Sequence, residues 1–349
     1  MESPGRVLVV RAGALGDTLM ITPLLRQLRK AVPQREVDVL CSAGGASVLA
    51  SSGYIARVHI LQFRNLPYFW SLEKRRLVRA IRERRYDFAV VLESANRYRQ
   101  IVEKAGIRDL RGFAETAFDP AQHSIVNNLR AAGFTNCRGP DLDMDLPVSS
   151  SASMWASQAL AALPKPWIGI HGGYGPASKK RNQTERLRGW APENFIQLTS
   201  ELVAAGASII LTGSHGDRGL SETIARALPR GRIMNFAGQT TIGQLTGIID
   251  ALDLLISVDS GPAHMAAAIG TPLVVLWGPG ILNQTRPLST STPIRIFNAN
   301  VPCAPCYGTP LMKQCVRNVC MEQILPADVL SAASDLLAAP SRRSAKPLQ

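Results

Sequence analysis

The residues most able to do chemistry together lie in LLISVDSGPAHMAAAIGTPLVVLWG, Leu254 to Gly278. An apolar run ends at Asp259, a Ser-Gly turn follows, and an Ala-rich helix opens with Pro262. Ser260 is a good N-cap residue, and Pro262 suits the first helical turn, where its missing N–H is not needed. The free N–H groups and positive dipole end of such a helix attract an anion. Gly261 lets a phosphate approach the backbone, and His264 in the first turn can donate to an oxygen. The segment reads as a diphosphate seat. It also reads as an ordinary strand-turn-helix unit in which Asp259 and Ser260 cap and His264 packs.

A second group is Arg11, Gly13, Gly16 and Asp17 in VLVVRAGALGDTLMITPLLRQLRK, Val7 to Lys30. A buried strand runs into a glycine turn and then a helix with Leu24, Leu25 and Leu28 inward. The G-x-G-x-x-G of a dinucleotide site is absent, and a carboxylate at Asp17 would repel a pyrophosphate. Asp17 is better suited to take a proton from a hydroxyl if a partly desolvated cleft raises its basicity, and otherwise to cap the helix. The third group is Cys303-x2-Cys306-x8-Cys315-x4-Cys320. Four thiols match a closed tetrahedral zinc or iron site that would staple a loop without doing chemistry. Four reduced thiols or a redox-labile pair fit the same residues. Cys41 and Cys137 read as core.

The elements that must position these residues alternate between apolar β-like runs and helical stretches. The runs are Arg6–Arg11, Val37–Cys41, Phe88–Leu92, Trp167–His171, Ser208–Thr212, Leu254–Val258 and Leu273–Trp277. Such alternation indicates an α/β chain with parallel sheets, and 349 residues suffice for two domains. Prolines and serines at 140–153 and 163–166 mark the boundary, giving domains of 1–150 and 165–325, a C-terminal helix at 326–339 and a disordered tail at 340–349. In doubly wound domains ligands sit at the carboxyl ends of the strands, where Asp17, His171 and Asp259 fall.

The string D-S-G-P-A-H-M-A-A-A-x-G-T-P-x-x-x-L-W-G, together with R-x-G-x-L-G-D at Arg11–Asp17, resembles the signatures of glycosyltransferase family 9, the ADP-heptose:lipopolysaccharide heptosyltransferases. The resemblance runs from Val7 to about Val329. It implies a GT-B fold: two Rossmann-like domains facing a central cleft, the N-terminal one for the acceptor and the C-terminal one for ADP-heptose. It further implies inversion at the anomeric carbon and no catalytic metal or other required cofactor. Asp17 would be the base, with Arg11, Gly13 and Gly16 on the acceptor side. Asp259 would hold a sugar hydroxyl, Ser260 and Gly261 would meet the diphosphate, and His264 would support their loop. Asp217 stands where the family has a ribose-binding Glu, and Thr240 at the adenine side. The chain departs from the pattern at GGYGPASKKRNQTERLRGWAP, where Arg188-Gly189-Trp190 replaces Lys-x-Trp. Arg188, or Lys179, Lys180 and Arg181, would then neutralise the departing diphosphate, although Arg and Lys are not equivalent.

Charge narrows the partners. The net charge is +13, and the 48 residues from Arg64 to Arg111 hold 13 Lys and Arg against 6 Asp and Glu, more than half of that excess. In EKRRLVRAIRERRYDF, Leu77, Val78 and Ile81 share a helical face and arginines take the rest. This is a solvated face, or a surface for an anionic acceptor such as a phosphorylated glycolipid or for the inner leaflet, with Asn65 to Trp70 helping an apolar tail to bind. Nucleic acid is a poorer explanation of the charge and is not expected as a partner, since no helix-turn-helix, zinc-finger or stacking-aromatic pattern accompanies it. No apolar run reaches the roughly 20 residues of a membrane span, and Val7 to Val10 is too short for a signal peptide. The expectation is a cytoplasmic enzyme with peripheral contact to the inner face of the membrane. Two alternatives stand beside lipopolysaccharide heptosyl transfer: the same donor with a protein serine or small natural-product acceptor, and a non-catalytic nucleotide-sugar-binding protein.

Overall fold

Seven apolar runs of the sequence become the interior strands of two wholly parallel sheets. The computed structural model describes residues 5–63, 66–173 and 187–339. The chain divides into two compact units, Met1–Pro147 and Val148–Gln349.

The first unit holds β1 (Arg6–Val10), β2 (Glu36–Cys41), β3 (Arg57–Ile60), β4 (Phe88–Val91) and β5 (Asp109–Gly112), in the spatial order β3-β2-β1-β4-β5. The second holds β6 (Trp167–His171), β7 (Ser208–Thr212), β8 (Ile233–Asn235), β9 (Leu254–Val258), β10 (Leu273–Trp277) and β11 (Ile294–Asn298), in the order β11-β10-β9-β6-β7-β8. Both sheets reverse direction of growth beside their first strand, at β1/β4 and at β6/β9. Crevices for ligands form outside the carboxyl ends of the strands at such points. In register, Val10 lies opposite Leu40 and Val91, and His171 opposite Thr212 and Ser257.

Each unit has its own core. Leu8, Val10, Ile81 and Val102 are buried together in the first; Ile170, Phe195, Ile256, Val274 and Val329 are buried together in the second. The stretch after Val148 belongs to the second unit: its helix Ser150–Leu160 packs so closely on Ile242–Ala251 that a Cβ at Gly247 would sit 2.2 Å from the Ala152 carbonyl oxygen. The C-terminal helix Pro326–Ala338 buries Val329 and Ala333.

Two local readings of the sequence are refined. The helix expected after the first glycine turn is two helices, Leu15–Leu19 and Thr22–Ala31, with Leu24, Leu25 and Leu28 buried as expected. The basic helix Leu72–Arg84 buries Leu77, Val78 and Ile81, but two of its cations also point inward. Lys74 is only 3% exposed. Arg84 donates to Asp38 on β2 (Nε to Oδ2, 2.9 Å) and to Glu36 (Nη2 to Oε2, 3.1 Å). The Tyr86 hydroxyl also donates to Asp38, at 2.6 Å, so this fully buried carboxylate is satisfied. No helix among the described residues is long and apolar enough to cross a membrane.

Candidate active site

In the second unit the residues gather where β9 meets the helix Gly261–Ile269. Asp259 is buried at the strand end, and burial raises its carboxyl pKa above the ordinary range, an effect the neighbouring Arg188 opposes. Arg188 Nη1 lies 3.5 Å from Asp259 Oδ2, and its guanidinium stacks 4.5 Å over the ring of Tyr307. The Nε of Arg188 is buried without a hydrogen-bond partner. A buried donor left open in this way is expensive unless a ligand completes it. Gly280 makes room for the carboxylate: a Cβ there would come 2.7 Å from Asp259 Oδ2 and 3.0 Å from Trp277 Cζ2.

Ser260 has the extended backbone of an N-cap residue, yet its side chain does not make the expected capping bond. The Ser257 hydroxyl donates to the Val258 carbonyl at 2.8 Å and lies 2.9 Å from Ser260 Oγ. With its own proton committed, Ser257 accepts that of Ser260 and draws the hydroxyl away from the helix start. His264 is buried in the first turn, 5% exposed.

Asp217 closes a short turn, His215–Asp217, and its Oδ2 accepts from the Ser214 N–H (2.8 Å) and hydroxyl (2.6 Å). It lies against Gly173, where a Cβ would be 2.2 Å from its carboxyl carbon. The buried His171 next to it donates or accepts at Thr212 Oγ1, 3.0 Å away, and desolvation pushes its pKa down to about 4, with Asp217 working the other way. Thr240 is half-buried just before the helix Ile242–Ala251, whose cap is Thr241. Lys179, Lys180 and Arg181 lie outside the described residues.

In the first unit Asp17 sits in the helix Leu15–Leu19 beyond β1. Its Oδ1 accepts from Arg11 Nη2 at 2.8 Å and its Oδ2 from the Ala14 N–H at 2.9 Å. The side chain is one-third exposed. Gly13 allows this arrangement, since a Cβ there would lie 2.6 Å from Asp17 Oδ2. Arg11 also donates to the Leu92 carbonyl, and its Nε, like that of Arg188, is buried without a partner. Glu93, at the end of β4, accepts from the Ala12 N–H at 2.7 Å and so ties the two central strands together beside Asp17. Sequence reading passed over Glu93, Tyr307, Gly173 and Gly280. Glu93 alone carried a signal, being a charged residue directly after a buried apolar run.

The four C-terminal cysteines come close enough to act on one another. Cys320 is pushed up to about 11, first by burial and then by the charges that Cys306, Cys303 and Cys315 would carry. As placed they do not make a ligand shell: the Cys315 thiol donates to the Arg317 carbonyl (3.3 Å) and that of Cys320 to Asn318 Oδ1 (3.2 Å). Among the described residues no group of three or more His, Cys, Asp or Glu is arranged to hold a metal ion.

Residues 74–316 match the family model described as glycosyltransferase family 9 (heptosyltransferase). The chain belongs to this family. Its relatives include lipopolysaccharide heptosyltransferase 2 of Escherichia coli K12, 26% identical over 313 residues that cover 81% of this chain and 86% of that protein. The solved structure of E. coli ADP-heptose lps heptosyltransferase II superposes with a TM-score of 0.76 at 24% identity, covering 95% of this chain and 98% of the other. A more distant fold neighbour is the iron-containing dodecameric glycosyltransferase TibC of enterotoxigenic E. coli H10407, with a TM-score of 0.52 at 12% identity over 96% of this chain and 77% of that one. The two parallel sheets of this family 9 member are those of the GT-B fold, as its signatures implied.

Proposed function

We propose that the chain transfers a heptose from ADP-heptose to a hydroxyl of an anionic glycolipid acceptor, the inner core of lipopolysaccharide, with inversion at the anomeric carbon. The observation that carries this reading is the seat at Asp259–His264, where a glycine-containing helix start lies beside the half-buried Arg188, whose Nε–H is buried and open. Helix N–H groups and a guanidinium are what a leaving diphosphate needs. In the reaction Asp17 takes the proton of the acceptor hydroxyl while its oxygen forms the new bond to the anomeric carbon. The bond from that carbon to the diphosphate breaks, and ADP departs with the electron pair, its charge met by the helix start and Arg188. Asp259 holds a sugar hydroxyl, His264 steadies the loop, and Asp217 and Thr240 flank the nucleoside.

Arg11, Gly13 and Gly16 shape the acceptor side, with Arg11 fixing the orientation of the base. The N-terminal domain serves the acceptor and the C-terminal domain the donor. No step runs through a metal. A structural zinc or iron, for which the iron of TibC is the precedent, would have to draw Cys315 and Cys320 off their oxygen acceptors. Titration calorimetry with ADP tests the donor seat. His264→Ala and Arg188→Ala should each weaken binding about tenfold or more, the worth of a hydrogen bond to a charged group. Unchanged ADP affinity in both would overturn it.

A further inference from the structure

The proposed reaction leaves the segment around the four C-terminal cysteines without a task, yet this segment is built against the short stretch that carries Arg188. Leu187 is buried with Cys306 and Met312, and Cys315 packs on them. The Gly189 carbonyl accepts from Asn318 Nδ2 at 3.1 Å, and Trp190 Nε1 donates to the Ile324 carbonyl at 3.0 Å. Arg188 lies between these anchors, its guanidinium carbon 4.5 Å from the centre of the Tyr307 ring.

Tyr307 is itself tied to the turn that shapes the donor seat. Its N–H and that of Cys306 both donate to the Pro279 carbonyl, at 3.0 and 3.2 Å, and Pro279 directly precedes Gly280, which makes room for the Asp259 carboxylate. Thr309 closes the loop, its N–H and hydroxyl donating to the Cys306 carbonyl at 3.1 and 2.7 Å. The ring remains 43% exposed, so core packing does not account for its place. On the other side, Arg188 Nη1 lies 3.5 Å from both Oδ2 and the main-chain oxygen of Asp259. The carboxylate at one edge limits rotation of the guanidinium in its plane, and the ring against one face sets the tilt of that plane. Only a flat cation stacks in this way; the compact, strongly hydrated ammonium of a lysine does not.

We propose that Tyr307 is a positioning residue for Arg188: its ring holds the guanidinium plane so that the cation is already aimed when the donor diphosphate arrives. The inference rests on the reading of Arg188 as the cation that meets the diphosphate. An unstacked arginine would have to be immobilised by the ligand, and ordering one long side chain on binding lowers affinity by about two- to tenfold. The ring removes that cost beforehand. The cysteine-bearing segment thereby acquires a role in donor binding that needs no chemistry at its thiols, since it supplies both the ring and the packing that fixes residues 187–190.

The test is titration calorimetry with ADP on the full chain and on Tyr307→Leu, Tyr307→Phe, Arg188→Ala and the double variant Arg188→Ala/Tyr307→Leu. Tyr307→Leu should weaken ADP binding about two- to tenfold. Phenylalanine keeps the ring, so Tyr307→Phe should restore the parent's affinity. Without Arg188 the ring has nothing to hold, and the double variant should bind ADP as Arg188→Ala does. Tyr307 is partly exposed, and melting temperatures equal to the parent's will show that the fold is kept. The proposal is overturned if Tyr307→Leu binds ADP like the parent. It is also overturned if Tyr307→Leu loses the same factor with and without Arg188, which would make Tyr307 a direct nucleotide contact or a mere support of its loop. If Arg188→Ala itself binds ADP like the parent, the donor seat falls and this inference with it; a weakened Arg188→Ala beside an unaffected Tyr307→Leu removes the role of Tyr307 alone.

Discussion

Asp17→Asn separates the two roles that the structure allows this carboxylate. As a structural residue Asp17 accepts the Ala14 N–H and pairs with Arg11. Asparagine keeps an oxygen for Ala14, so the substitution removes mainly the ion pair. With one partner a third exposed, that pair is worth about 0.2–1 kcal/mol. For a chain of this size the loss corresponds to a melting shift of at most about 4 °C. As a general base Asp17 contributes on the order of 10²–10⁴ in rate, or about 2.7–5.4 kcal/mol of barrier. The assay is steady-state transfer from ADP-heptose, with ADP affinity by calorimetry and unfolding by heat. Turnover should drop by that factor while ADP affinity and melting temperature stay near their original values. Gly13→Ala supplies the complement, because its Cβ would meet Asp17 Oδ2 at 2.6 Å and displace a carboxylate that is still present; turnover should fall there too. Normal turnover in Asp17→Asn, or a loss of activity only in proportion to lost fold, would refute the role.

Three further outcomes are expected. Gly280→Ala should weaken ADP binding and cost about 1–3 kcal/mol of stability, because the new Cβ is wedged between Asp259 and the fully buried Trp277; wild-type affinity and melting would show that the Asp259 position is not exacting. His171 is held neutral in the fold at a pKa of about 4, so its contribution is complete above pH 6.5 and is lost as the pH falls towards 4. It should amount to about 2 kcal/mol between pH 7.5 and 5, and His171→Asn should lose less stability over that interval than the parent in denaturant unfolding; equal losses would remove the argument. If protein purified under reducing conditions carries zinc or iron at Cys303, Cys306, Cys315 and Cys320, chelation should lower the melting temperature before it lowers the initial rate; a rate that collapses with the fold intact would make the metal catalytic.

What the sequence displayed and what it concealed follow from burial. All seven strands read from apolar runs lie inside a sheet with both edges paired, and strands of parallel sheets, covered on both faces by the crossover helices, are continuously apolar. The four that escaped notice, β3, β5, β8 and β11, are the four sheet edges. Their residues are half-wetted, as in RVHI or DLRG, and carry little period of their own. The same limit applies to the site. Asp17, Asp259 and His264 could be placed because each follows a strand at a turn with a recognisable grammar. Arg188 could be named as a cation, but its stacking on Tyr307, over a hundred residues away, has no local signal. The Ser260 hydroxyl was misassigned to capping because Ser257, three residues earlier, competes for it. Lys74 and Arg84 look like solvent charges in a helix pattern; only the fold shows the carbonyl and carboxylates that take them inward.

The central claim is inverting transfer of a heptose from ADP-heptose, and the most direct measurement is the anomeric configuration of the product. The purified chain would be incubated with ADP-heptose and a heptose-free lipopolysaccharide core, ADP release would be followed, and the linkage would be read by NMR. One ADP per heptosylated acceptor is expected, with the configuration opposite to that of the donor and with Asp17→Asn releasing almost none. Retained configuration, or tight ADP binding with no transfer from ADP-heptose to this acceptor, would contradict the account.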